Sequence, residues 1–286
     1  MRSWMLGDRV VNRMGFGSMR LTVNPDHSVA LAVLRRAREL GVNHVDTAAF
    51  YRTPGGVLEV GSGEVRFATE LIRQALAPYP DDLVIATKVI PGHEPLRAQV
   101  EENLRRLGTD CLGIVNLRII KRPGQDSIAE SFGELARMRD EGLIKHLGLS
   151  NIRIDHLDEA KAIAPVVCVQ NSYALDIRRD DDLLKDCGDR GIAFVPFFAL
   201  AGNQREAGSL NDHSETVRQI AAAHEVTPHQ IRLAWTLHQG EHVLAIPGTG
   251  DLRHLEQNIA AGSIRLSPEE LTLLSVPPGQ EQAPAH

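Results

Sequence analysis

Cysteine is scarce in this 286-residue chain: Cys111, Cys168 and Cys187 are the whole set. An odd, scattered trio with no CxxC pair offers neither a disulfide framework nor a thiolate metal site. With Cys111 and Cys168 in strand-like runs, the cysteines read as small core residues in a reducing compartment. Long apolar runs are missing too. The opening MRSWMLGDRV has nothing suited to a signal peptide, and no stretch approaches the ~18 apolar residues of a membrane span. The expected location is the cytoplasm. One-sided charge is also absent: 31 Lys and Arg face 37 Asp and Glu, a net charge of -6 without long runs of one sign. That argues against nucleic acid and anionic membranes as partners. There is no metal-ligand cluster. HQGEH (His238 to His242) has i, i+4 spacing but straddles Gly240, so its histidines share no helical face, and no metal is expected. GVLEVGS (Gly56 to Ser62) has P-loop glycine spacing without the lysine and reads as a loop. No repeat or low-complexity stretch stands out, and the tail PPGQEQAPAH reads as a loosely held terminus.

What remains is ordinary globular composition, 43% hydrophobic and 24% charged, arranged in a strict rhythm. WMLGDRVVNRMGFGS alternates around Gly7-Asp8 as a hairpin would. Short apolar runs then recur: MGFG, NHVDTA, LVIATK, LGIVNLR, IKHLGLS, VVCVQN, AFVPFF and VLAIPG. Near-continuous hydrophobicity is what parallel strands covered on both faces require. The gaps carry helical patterns. HSVALAVLRRARELG has Val29, Val33, Ala37 and Leu40 on one face and stops at Gly41. PLRAQVEENLRRLG stops at Gly108, and SIAESFGELARMRDEG runs from Ser127 to Gly142. Eight strands alternating with helices, with no linker-like break, imply one (β/α)8 TIM barrel domain over 1–286, preceded by the hairpin. A doubly wound open sheet is the competing architecture. It needs a phosphate-binding turn after an early strand, and GFGSMR lacks the third glycine of G-x-G-x-x-G.

In a barrel the chemistry gathers at the C-terminal ends of the strands. Those ends read Asp46 with Tyr51 just beyond, then Lys88, Arg118, Ser150-Asn151, Gln170-Asn171, Phe197-Phe198 and Gly248-Thr249. Any one of these can simply cap its strand. Asp, Lys and Arg at successive ends are harder to dismiss. A buried Asp46–Lys88 pair without a task is a poor stabiliser, and Arg118 places a permanent charge at the end of the otherwise apolar CLGIVNLRII.

The phrases HVDTAAFY, VIATK, GLSN, VCVQNSY and AIPGT, in this order and spacing, resemble the aldo-keto reductase superfamily. The likeness runs from about Val11 to Leu271 and is strongest to the pyridoxal reductase branch, which shares VNLR, GLIKHLGLSN, VPFFALAG and IPGT. It implies hydride transfer between a nicotinamide cofactor and a small-molecule carbonyl, without a metal. In that picture Tyr51 is the general acid. A free phenol, with a pKa near ~10, needs a neighbouring cation to donate at neutral pH, so Lys88 supplies the charge and Asp46 holds Lys88. Arg118 stands where most of the superfamily has a carbonyl-polarising histidine. It can donate to the oxyanion or hold an anionic group of the substrate, or only anchor the barrel mouth.

The resemblance also implies a cofactor site. Ser150, Asn151 and Gln170 would bond the nicotinamide carboxamide, and Phe197 would stack on its ring. Leu200 and Gly202, in LAGN, would follow the pyrophosphate. Gly248, Thr249 and Gly250 would open a helix whose first amides take a 2′-phosphate. Arg253 would add the positive charge there, while Gln257 and Asn258 would reach the adenine. NADPH is the expected cofactor and NADH remains admissible, because only Arg253 and His254 bring positive character. From a different class, the likeness leaves open a cofactor-binding regulatory subunit with little turnover. The loop after Tyr51, RTPGGVLEVGSGEVRFA, is longer than the branch pattern and the one after Lys88 is shorter, so the substrate is not inherited with the fold.

Overall fold

Seven parallel strands lie side by side in chain order: Phe16–Gly17, His44–Asp46, Val84–Val89, Leu112–Arg118, Ile144–Ser150, Val166–Gln170 and Ala193–Phe194. The computed structural model describes residues 3–58, 60, 63–92, 94–119, 126–197, 199 and 213–275. Segment 243–246 closes the sheet into a barrel. Phe194 bridges Val243 and Met14 bridges Ala245, both in parallel sense, with the Gly15 amide donating to the Ala245 carbonyl at 2.8 Å. The expected (β/α)8 barrel is present, but its last two strands are shorter than the hydrophobic runs suggest. AFVPFF forms regular strand only over Ala193–Phe194, and VLAIPG makes isolated bridges. Pro196 and Pro247 explain this, because a proline cannot donate to the ladder.

The helices start and stop as their end residues dictate. Asp26 accepts from the Ser28 amide ahead of His27–Glu39. Leu96–Leu107 ends at Gly108, whose φ of 66° is left-handed. Ala129–Asp140 begins two residues after Ser127, whose hydroxyl accepts from the Ala129 amide at 3.2 Å. Thr227 and Gln230 form a reciprocal capping box before Pro228–His238. Cys111 departs from expectation: it is exposed, just before its strand, while Cys168 and Cys187 are buried.

Strand alternation creates two cores. Val115, Leu117, Leu147 and Leu149 point outward and pack with Phe132, Leu135 and Leu157 of the helices. Val84, Ala86, Ile114, Cys168, Ala193 and Leu244 point inward and fill the barrel. The N-terminal hairpin, Ser3–Leu6 paired with Arg9–Asn12, closes the floor, and its Leu6 and Val11 join this inner cluster. Asp8 at the hairpin turn is bonded to Lys145 and His146. At the other end, the segment after Tyr51 is not all loop. Arg52–Thr53 pairs antiparallel with Arg66–Phe67 beside the barrel mouth. Among the described residues no helix is long and apolar enough to cross a membrane.

Candidate active site

The inward face of His44–Asp46 carries Asp46, and the inward face of Val84–Val89 carries Lys88 one layer higher, since Asp46 pairs in register with Ala86. Both side chains are buried. Lys88 Nζ donates to Asp46 Oδ1 and Oδ2 at 2.7 Å each and to the Thr47 carbonyl at 3.0 Å. Tyr51 follows on the turn that leaves the Asp46 strand, its amide donating to the Ala48 carbonyl and its carbonyl accepting from Ala68. The ammonium lies 4.9 Å from the Tyr51 ring centroid. Burial works to discharge Lys88. The charge of Asp46 and the polar groups of Asp46 and Tyr51 outweigh it, so the lysine pKa is raised. The result is a permanent cation under a half-buried phenol.

A second group sits beside the first. Gln170 Nε2 donates to Asp46 Oδ2 at 2.6 Å, which leaves Gln170 Oε1 buried and, among the described residues, without a partner. Arg118 pairs in register with Ser150 and Ser150 with Gln170, so the three share the top layer. Arg118 Nη1 donates to Ser150 Oγ at 3.0 Å, and its guanidinium carbon lies 5.0 Å from the Phe197 ring centroid. Asn151, at a φ of 61°, turns the chain out of the strand. Its Nδ2 donates to the Ile119 carbonyl at 2.6 Å, and its amide to the Gln170 carbonyl. The side-chain accounting is specific. Ser150 keeps a hydroxyl proton to donate, while Gln170 Oε1 and Asn151 Oδ1 remain as acceptors. One donor and two acceptors complement a primary carboxamide, which has one C=O and two N–H. The donor set therefore fits a nicotinamide carboxamide. Asn171, next in sequence, is a structural clamp instead, bonded to both backbone groups of Ile152 and to Asp180.

The third group is the turn after the closing segment. Gly248 and Gly17 are in backbone contact: a Cβ on Gly248 would lie 2.4 Å from the Gly17 carbonyl, and one on Gly17 2.6 Å from the Ile246 carbonyl. Gly17 is also the register partner of Asp46, so this turn adjoins the ion pair. Thr249 Oγ1 accepts from the Asp251 amide, and Asp251 caps Leu252–Ala260 by accepting from His254. The helix end expected to meet a phosphate thus carries a carboxylate of its own. Arg253 and His254 are exposed, Gln257 is half-buried and Asn258 is buried, while Gly250 follows Thr249 with its α-carbon facing Arg20. Leu200 and Gly202 lie outside the described residues.

Two inward residues escaped the sequence reading. Asn116 pairs in register with Lys88 and accepts from the Cys168 thiol at 3.3 Å, with its own Nδ2 unpartnered. Gly148 makes room for it, because a Cβ there would lie 2.1 Å from Asn116 Oδ1. Period-two alternation from Arg118 back to Asn116 was the available signal. Burial and the nearby Asp46 charge push the Cys168 thiol up to about 12, so it stays protonated. The two histidines of HQGEH are each bonded to a backbone carbonyl, of Ala234 and Leu184.

The aldo/keto reductase family model matches residues 13–275. Pyridoxine 4-dehydrogenase of Escherichia coli is 40% identical over 95% of this chain and 96% of its own length. Two structures of aldo-keto reductases from Klebsiella pneumoniae, one with NADP and acetate and one with NADPH, are 28% identical. They superpose with TM-scores of 0.79 and 0.80, each covering 98% of this chain and respectively 98% and 97% of theirs. With the barrel, the Asp46–Lys88–Tyr51 group and these similarities in agreement, the chain is an oxidoreductase that belongs to the aldo/keto reductase family.

Proposed function

We propose that this enzyme reduces a small aldehyde or ketone to the alcohol with NADPH, and that its substrates are pyridoxal-like aldehydes carrying an anionic group near the carbonyl. The carrying observation is the buried Lys88 that faces Asp46 on one side and Tyr51 on the other. When bound, the dihydronicotinamide supplies the hydride that goes to the carbonyl carbon. Tyr51 gives its phenolic proton to the carbonyl oxygen, and the phenolate left behind is stabilised by the Lys88 ammonium until solvent returns a proton. Asp46 keeps Lys88 charged and aimed. Run backwards, the same phenolate takes the proton of an alcohol. Arg118 supplies a second positive charge at the mouth, suited to the developing oxyanion or to a phenolate or carboxylate of the substrate.

Ser150, Asn151 and Gln170 support the nicotinamide reading through their complementary donors and acceptors, and Phe197 offers a flat face beside them. The likeness to the NADP-bound reductases supports NADPH, and the Asp251 cap favours a modest margin over NADH. The test is Tyr51→Phe against a panel of aldehydes followed by NADPH absorbance. Turnover should vanish while the NADPH dissociation constant stays within about twofold. Near-normal turnover would remove Tyr51 from the acid role, and no turnover by the parent enzyme would point to the regulatory-subunit reading.

A further inference from the structure

Ser150 and Gln170 are the groups best matched to a carboxamide, yet they are enclosed: their fractional exposures are 0% and 1%. The side chain lying against Ser150, which neighbours Gln170 in register, is Arg118. Its Nη1 holds the Ser150 hydroxyl at 3.0 Å, and its guanidinium stands 5.0 Å from the centroid of the Phe197 ring, the face assigned to stacking. Arg118 itself is half-exposed at the end of its strand, with no carboxylate bonded to it among the described residues. The guanidinium can leave without breaking the barrel. Among the described residues its side-chain hydrogen bond is to a neutral hydroxyl, and its other contact is a loose cation–π approach.

We propose that Arg118 and the nicotinamide are alternative occupants of one pocket, and that displacing Arg118 is what makes it the anion-binding group of the substrate site. This rests on the reading that Ser150, Gln170 and Phe197 hold the nicotinamide. While Arg118 lies on Ser150 and Phe197, its charge is directed into the cofactor pocket. A nicotinamide bonded to Ser150 and Gln170 needs that space, so the guanidinium must turn toward the mouth. It then meets an incoming carbonyl compound beside Tyr51. A planar cation with several donors in a fixed fork suits a carboxylate or phenolate next to the carbonyl. Cofactor and anionic substrate are thereby coupled through one side chain, each favouring the arrangement the other uses. Removing the guanidinium has opposite effects on the two ligands. The nicotinamide end of the cofactor should bind more tightly, because nothing has to be displaced, while the anionic substrate loses its partner.

The experiment separates occupancy from long-range charge. Dissociation constants for NADPH and for adenosine 2′,5′-bisphosphate, which lacks the nicotinamide, are measured by calorimetry on the parent, Arg118→Leu and Arg118→Gln proteins. Loss of a distant positive charge weakens both ligands alike. Release of the nicotinamide pocket strengthens NADPH relative to the fragment, by roughly tenfold if one charge-assisted hydrogen bond no longer has to be broken. In parallel, 4-carboxybenzoate is titrated with and without NADP. The parent should bind it at least about tenfold more tightly with NADP present, and Arg118→Leu should show no such gain. An unchanged or lowered NADPH-to-fragment ratio in both variants would overturn the proposal, as would equal 4-carboxybenzoate binding by the parent in the two conditions. Failure of the parent to bind NADPH at all would instead overturn the cofactor reading beneath it.

Discussion

Replacing Lys88 by Met leaves the Asp46 carboxylate buried with, among the described residues, only Gln170 Nε2 as a side-chain donor, because both of its oxygens otherwise meet the ammonium at 2.7 Å. Replacing Asp46 by Asn leaves the complementary fault. Gln170 keeps an acceptor, but Lys88 is buried without a counter-charge, left with the Thr47 carbonyl and the Tyr51 phenol. Removing one partner of a buried pair typically costs about 3–5 kcal/mol, whereas removing both leaves no uncompensated charge. Each single substitution should therefore lose about 3–5 kcal/mol, and additivity would put the double variant at about 6–10 kcal/mol. The double should instead resemble one single variant, a coupling of about 3 kcal/mol or more. Urea unfolding of the four proteins at pH 7, read by circular dichroism, gives the cycle. Coupling below about 0.5 kcal/mol would refute the claim that Asp46 and Lys88 act as one unit.

Three other perturbations probe different parts of the structure. Burial pushes the His44 imidazole down to about 4. Below pH 6.5 the unfolded chain therefore takes up a proton that the folded one refuses, and stability should fall by about 3 kcal/mol between pH 6.5 and pH 4. His44→Leu should flatten that part of the urea-midpoint profile, and an unaltered slope would exonerate His44. At the Leu252–Ala260 helix, Asp251→Ser keeps a capping oxygen but removes a negative charge, so the NADPH-to-NADH affinity ratio should rise. Arg253→Ala should lower it, and calorimetry showing no movement in either would place the 2′-phosphate elsewhere. Gly148→Ala should destabilise by about 1–3 kcal/mol through overpacking against Asn116 and Cys168, with Asn116→Ala in the same chain restoring part of the loss in thermal unfolding.

The barrel was legible because its strands are buried on both faces and its helices are amphipathic, so hydrophobic density alone marked the alternation. It misled where local chemistry overrode density, at Pro196 and Pro247, which shorten the last two strands, and at Cys111, which lies exposed just ahead of its strand. Asp46, Lys88 and Arg118 stood out as ionisable residues where apolar runs end. Asp46 and Lys88 were expected as a pair and Ser150 as a strand end, but that Arg118 meets Ser150 and Lys88 lies opposite Asn116 shows only once parallel strands align. The neutral Asn116 and the missing side chain of Gly148 raise no flag in a sequence. The Asp251 cap was equally hidden, since an aspartate before a helix is ordinary until that helix end is assigned a phosphate.

The hairpin that plugs the floor makes the barrel a well with a single rim. Leu6 and Val11 below, with Val84, Ala86 and Ile114 around them, fill the lower end with apolar side chains. Asp46 and Lys88 lie above this apolar plug, and the half-buried Tyr51 is their outlet. In the proposed mechanism, a proton given up by the Tyr51 phenol returns from the rim, the side by which the alcohol leaves. Recharging the acid and clearing the product would then share one doorway.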